Sequence, residues 1–180
     1  MPTDVVGLVG RAEFRIGDTL AEDPKLAFDA IPSFPPECFA WLHCVHPPQQ
    51  KRFRQGVEQL LQEGVMQAFQ LDNDKFRAPF LGAVGPLQFE VLQYRLQSEY
   101  GAESRLEITP WTMLRWVVEG TVETAMLPSG GRLAADMHGT PVILFTEKWG
   151  YDYFVERRPE IKLSETSPVL SAAATSKRRN

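Results

Sequence analysis

Catalytic machinery is the first thing this chain lacks. Its 180 residues contain no Gly-Lys pair, and so no Gly-x-x-x-x-Gly-Lys-[Ser/Thr] loop to surround the phosphates of a nucleotide. There is no Asn-Lys-x-Asp for a guanine base and no Gly-x-Ser-x-Gly elbow for a serine nucleophile. Asp136-Met137-His138-Gly139 matches the Asp-x-x-Gly that holds magnesium and the γ-phosphate in GTPases, but one four-residue match in an expected hairpin turn carries little weight. No apolar run approaches the ~20 residues needed to span a bilayer, and Met1-Pro2-Thr3-Asp4 lacks the basic start and apolar stretch of a secretory signal. The expectation is a cytoplasmic protein with no membrane partner. Formal net charge is −4, which excludes strong general attraction to nucleic acid and leaves only local contact. Lys51, Arg52 and Arg54 are the candidate RNA contact, with a solvated helix face as the plainer account.

Cysteine and histidine are scarce: two of one, three of the other. Cys38, His43, Cys44 and His46 fall close together, yet a strand over 38–45 would hold the two cysteine backbones about 20 Å apart. A disulfide needs Cα atoms within about 7 Å. Two ligands on one face do not complete a zinc site, so no metal is expected, and both thiols read as buried and free. His43 points away from Cys44, because adjacent strand residues face opposite ways. A small enzyme using Cys44 with His46 is the least favoured alternative.

Much of the chain is nonetheless strongly patterned. Short strands are expected at 5–8, 13–16 and 25–30. Ile31-Pro32-Ser33-Phe34-Pro35-Pro36 then makes a stiff connector, since its three prolines restrict the backbone to extended and turn forms. From Cys38 the order becomes strand (38–45), helix (48–63), strand (65–71), strand (78–84), helix (86–100), strand (103–108). That is the split β-α-β-β-α-β order of ferredoxin-like domains, with two helices on an antiparallel sheet, and the fold class is α+β. In the first helix Phe53, Val57, Leu60 and Leu61 form the apolar face. The second has Pro86 at its first position and Gly101 as its stop; Phe89, Leu92 and Leu96 make its buried stripe, widened by Val91 and Tyr100. A strand at 113–119, a helical turn within 121–127, a hairpin of 133–137 with 141–146, and a helix over 147–157 with Trp149, Tyr153 and Phe154 at helical spacing extend this core. Beyond Leu163 the low apolar content predicts a disordered tail over 164–180.

Gly82-Ala83-Val84-Gly85 before the second helix suggests an anion site or an RNA clamp. Pro86 removes an amide that an anion would use, and close packing of the turn accounts better for the glycines.

The stretch from Gly82 to Gly101 resembles the third domain of the bacterial class II peptide-chain release factors (the release factor 3 family), translational GTPases that remove a class I release factor from the ribosome. Ile16-Gly17-Asp18-Thr19-Leu20, Ile31-Pro32-Ser33-Phe34-Pro35-Pro36-Glu37, Gln49-Gln50-Lys51, Glu63-Gly64 and Arg115-Trp116-Val117 follow the family's order. The resemblance covers roughly residues 4 to 163 and thins after Gly120. It implies that residues 1–31 are the terminal strands of a β-barrel domain, 32–37 a linker, and 38–163 the α+β third domain. It also implies that the G domain, with its GTP and magnesium, lies outside this chain, which would carry no cofactor and no catalytic residue. The implied partners are the ribosome, a G domain and barrel domain of the same or a separate polypeptide, and, functionally, the class I release factor. The equivalent domain of an elongation-factor-type translational GTPase is the nearer alternative.

Overall fold

A computed structural model describes residues 34–71 and 78–168, with isolated positions 7, 21–23 and 26. Apart from those positions, the strands expected before residue 31 lie outside the described residues. The elements are β1 (Cys38–Cys44), α1 (Gln50–Gln62), β2 (Gln67–Leu71), β3 (Phe80–Ala83), α2 (Pro86–Tyr100), β4 (Ser104–Ile108), β5 (Met113–Glu119), β6 (Arg132–Asp136), β7 (Pro141–Phe145), α3 (Lys148–Arg157) and β8 (Lys162–Ser164). Up to β4 this is the β-α-β-β-α-β order that the periodicity predicts. The first helix begins two residues later than expected, because Pro47–Gln49 form a 3-10 turn before α-helical pairing can start.

The eight strands of the described residues join one antiparallel sheet in the order β4-β1-β3-β2-β6-β7-β5-β8. The hairpin β6-β7 is therefore no appendage: β6 continues the sheet directly from β2. β2 serves both halves with different ends, pairing Gln67–Phe69 with β3 and Phe69–Leu71 with β6. If the sheet were flat, five spacings of ~4.8 Å would put β1 about 24 Å from β5. Instead Phe39 and Trp41 of β1 share one core with Leu114 and Trp116 of β5 and with Val142 and Leu144 of β7. The sheet folds over on itself.

Folding over creates four layers. Alternation along β1 sends Ala40 and Leu42 toward α1 and α2, where Phe53, Val57, Leu60, Phe89, Leu92 and Leu96 are buried. Phe39 and Trp41 go the other way, into the aromatic core between the two halves of the sheet. Along β7, Val142 and Leu144 enter that same core, while Ile143 and Phe145 pack under Phe154 of α3. β1 and β7 are therefore covered on both sides, which explains why Cys38-Phe39-Ala40-Trp41-Leu42 and Val142-Ile143-Leu144-Phe145 read as continuous apolar runs.

The ends of α2 follow the sequence closely. Gly85 precedes Pro86 in an extended conformation, and Gly101 closes the helix at φ 58°, with its amide bonded to Gln97 O and that of Ala102 to Leu96 O. Helices α1 and α2 approach closely at Gly56, where a Cβ would lie 2.8 Å from Leu96 and from the Tyr100 ring. Arg95 of α2 ties them further, bonding Glu63 at 2.6 Å and Glu99 at 2.6 and 2.9 Å. The hydrogen bond from Arg95 holds the Glu99 carboxyl below its ordinary value of 4.5, and Glu99 and Glu63 hold the guanidinium above its own. A carboxyl lowered by folding contributes stability above its unfolded pKa and loses that contribution as pH falls through the folded one. Glu99→Gln is expected to melt below wild type at neutral pH, with the gap closing as the buffer is taken well below pH 4.5. A gap that persists in acid would show that the pair contributes nothing specific.

Two expectations are corrected. Val91 does not widen the buried stripe of α2: it is 44% exposed, on the side away from Phe89, Leu92 and Leu96. Ordered chain also continues past residue 164. Ser164 ends β8, which pairs with β5, and Ser167 is 5% exposed with its hydroxyl donating to Asp136 Oδ2 at 3.5 Å. An edge strand added to a formed sheet satisfies its backbone without a core of its own. The remainder of the expected tail, 169–180, lies outside the described residues.

Candidate functional site

Helix α1 carries the basic residues singled out from the sequence, and all three are exposed. They do not form one cluster. At 100° per residue, Lys51 and Arg54 lie about 60° apart, Lys51 roughly opposite the buried Phe53, Val57 and Leu60 and Arg54 at the edge of that stripe, about 60° from Val57. Arg52 turns toward the C-terminal end of α2, where a Cβ on Gly101 would lie 3.2 Å from its Nη1. That end carries unpaired carbonyls and partial negative charge, which favours a cation there. Among the described residues, none of the three forms an ion pair. Lys51 and Arg54 are thus left as a small exposed cationic pair.

The cysteine–histidine cluster is dispersed by its own hydrogen bonds. Cys44 donates its thiol to the backbone oxygen of His46 at 3.3 Å, while His46 Nε2 lies 2.9 Å from Glu103 and His43 Nε2 lies 2.8 Å from Glu107. Both imidazoles are engaged across to β4 and its approach, away from either sulfur. Both cysteines are free thiols packed against the helix-side core. Among the described residues no group of three His, Cys, Asp or Glu side chains is placed to hold a metal, and no helix is long and apolar enough to cross a membrane.

The two short matches to phosphate-binding motifs are used structurally. Asp136 Oδ1 accepts the amides of His138 and Thr140, each at 2.9 Å, and Oδ2 accepts the indole N–H of Trp116 at 3.0 Å. Its lone pairs organise the β6-β7 turn. In the Gly82–Gly85 turn, the Val84 amide donates to Gln88 Oε1 at 2.8 Å, so the donor an anion would seek is occupied.

Two surface features were not anticipated. Leu87, Val91 and Tyr94 follow one another at spacings of four and three along the outer face of α2, 66%, 44% and 73% exposed, and Val84 lies just before them at 42%. This helix is apolar on two opposite faces, a pattern expected only when both are covered. The spacing is visible in the sequence, and it puts Val91 on this outer stripe, against the expectation that it widens the buried one. On α3, the three aromatics at helical spacing divide: Phe154 is buried, whereas Trp149 and Tyr153 face solvent with their rings stacked.

Comparison with known proteins bears on what these surfaces serve. The family model described as "Class II release factor RF3, C-terminal domain" matches residues 28–155. Proteins named peptide chain release factor 3 are similar over nearly all of the chain. That of Cyanothece sp. (strain PCC 7425) is 43% identical across 93% of this chain, that of Trichodesmium erythraeum 41% across 94%, and that of Synechocystis sp. (strain PCC 6803) 43% across 89%. The chain spans about a third of their length: 31%, 32% and 30%.

Proposed function

The chain belongs to the class II release factor RF3 family, as its C-terminal domain, and on that basis we propose that it works by contact rather than chemistry, as the part of a translation-termination factor that is held against the ribosome and steered from upstream. In the intact protein a G domain supplies GTP and magnesium, and the assembled factor promotes dissociation of a class I release factor from the ribosome in the cytoplasm. This chain supplies a rigid body and no hydrolysis. Rigid-body movement about a hinge is how such a switch is transmitted, and one sheet with three cores suits the task.

The observation that carries this reading is the outward stripe of Val84, Leu87, Val91 and Tyr94. Opposite its buried face, α2 offers a second apolar surface that the described residues leave uncovered. The domains that make up the other two-thirds of the relatives are the partner that fits it. Lys51 and Arg54 on neighbouring α1 supply the cationic contact to ribosomal RNA.

A chimera carrying this chain in place of the matching region of the Synechocystis relative tests both contacts by GTP-dependent release of a class I factor from terminated ribosomes. Leu87→Glu with Tyr94→Glu is expected to lower activity at least about tenfold, since two buried, unpaired charges would be forced into the interdomain contact. Both side chains are exposed, so melting of the isolated chain should not change. Lys51→Glu with Arg54→Glu should weaken ribosome binding and flatten its salt dependence by about two counterions. An inactive wild-type chimera, or activity indifferent to both pairs of changes, would sink the reading.

A further inference from the structure

Helix α3 presents an ordered aromatic ladder on the opposite side of the molecule from α1 and α2. Trp149 and Tyr153, one turn apart, stack with ring centroids 5.3 Å apart and planes 21° from parallel. One turn further on, the Arg157 guanidinium carbon sits 5.3 Å from the centre of the Tyr153 ring. Trp149 is 65% exposed and Tyr153 38%, whereas Gly150 and Phe154 hold the other face of the helix on the sheet. Of the other tryptophans, Trp41 and Trp116 are buried and Trp111 is half-buried.

We propose that the Trp149–Tyr153–Arg157 ladder is a stacking site for an unpaired RNA base, with Arg157 reaching a phosphate further along the same strand. The chemistry differs from that of the α2 stripe. There, the exposed atoms are mostly aliphatic, which suits a protein surface. On α3 the rings are already stacked in the free protein, so a base meets an ordered platform and little side-chain entropy is lost on binding. Every base has a π-face, and an indole of which 65% remains open offers the area for one.

Charge on the helix is close to balanced, and Arg157 is the cation left for a phosphate. Asp152 is neutralised by Lys148 at 2.6 Å, and Arg157 has no carboxylate partner among the described residues. Glu156 stands about 20° around the helix from Trp149 and about 100° from Arg157, so a nucleotide would approach from the Arg157 side, away from that carboxylate. Arg157 lies about 12 Å along the axis from Trp149, so base and phosphate contacts are spread along the helix and need not compete.

This inference rests on the ribosome-contact reading for the source of the RNA, and two measurements on the full chain separate them. The first titrates the chain into a fluorescein-labelled single-stranded adenosine hexaribonucleotide and follows the anisotropy of the label, a signal that does not depend on Trp149. Wild type should raise the anisotropy, Trp149→Ala should bind about tenfold more weakly, and Trp149→Phe should retain most of the affinity. Arg157→Gln should lower the salt dependence by about one counterion. The second measures binding of the same variants to 70S ribosomes, where Trp149→Ala should again lose about tenfold. Hexamer binding without ribosome binding would support the base site and refute the proposed function. Ribosome binding that is indifferent to Trp149→Ala, or a hexamer that wild type does not bind, would overturn the base site and leave the proposed function standing. Trp149 and Tyr153 are exposed, and unchanged melting of the variants would confirm that folding is intact.

Discussion

Phe80→Ala is expected to lower the stability of the chain by roughly 4 kcal/mol, the middle of the range for removing a buried phenylalanine. Phe80 is 2% exposed and stands where the two halves of the sheet meet. Its ring lies 5.9 Å from Phe39 in a stacked arrangement, 4.8 Å from Trp41, and 5.6 Å from Trp111 edge-on. Phe39 and Trp41 come from β1 and Trp111 from the segment leading into β5, so one side chain joins strands that are distant in the sheet. Deleting it removes the transfer energy of the ring and leaves a cavity lined by large rigid aromatics, which cannot collapse to fill it. Phe80→Leu, which keeps much of the volume, should cost considerably less. Urea unfolding followed by far-ultraviolet dichroism and by fluorescence of the buried tryptophans measures the difference. The two probes should coincide for wild type, since a shared core unfolds as a unit. A loss below about 1.5 kcal/mol for the alanine variant would mean that the halves of the sheet are stable independently, contrary to the common core described above.

Asp136→Ala is expected to cost about 3 kcal/mol, although Asp136 sits at the end of a surface hairpin. Its carboxylate accepts three N–H bonds, from His138, Thr140 and the Trp116 indole, and a longer one from the Ser167 hydroxyl. Bonds to an ionised acceptor contribute about 1.5–3 kcal/mol each, and their loss is worst where the abandoned donor is buried. Trp116 is 3% exposed, so its indole N–H would find no water. Asp136→Asn keeps one acceptor oxygen and should lie between wild type and alanine. A double-mutant cycle isolates the buried donor: once Trp116→Phe has removed the N–H, Asp136→Ala should cost measurably less. Strict additivity would show that Trp116 and Asp136 do not act together. Both oxygens of this carboxylate are committed to the turn and to the chain that returns after β8, which gives the Asp-x-x-Gly match a structural use.

The α2 helix shows how far local pattern could be read. Pro86, the Phe89-Leu92-Leu96 spacing and Gly101 each act within a turn or two, and the helix observed over Pro86–Tyr100 has the bounds they predict. The same holds for β5 at Met113–Glu119 and, within a residue or two, for most other elements. Helical spacing itself puts Val91 about 160° from Phe89 and within about 60° of Leu87 and Tyr94, so its outward position was legible in the sequence. Trp149, Tyr153 and Phe154 can all be placed on one broad face or divided between two, and only neighbours from other elements distinguish these cases. For the basic residues, helical spacing placed Lys51, Arg52 and Arg54 on α1 but could not show that Arg52 turns toward the end of α2.

Element type, order and ends, together with membership of the release factor family, are carried by residues close together in the chain, since hydrophobic period, proline and glycine act over a few peptide units. The closure of the sheet through β2 and β6, the aromatic core between its halves, the docking of Ser167 on Asp136, and the two exposed faces on α2 and α3 depend on contacts between residues far apart in the chain. Such contacts form when apolar surfaces from separate elements are buried against one another, and the linear pattern says that a surface is apolar without saying which other surface will cover it.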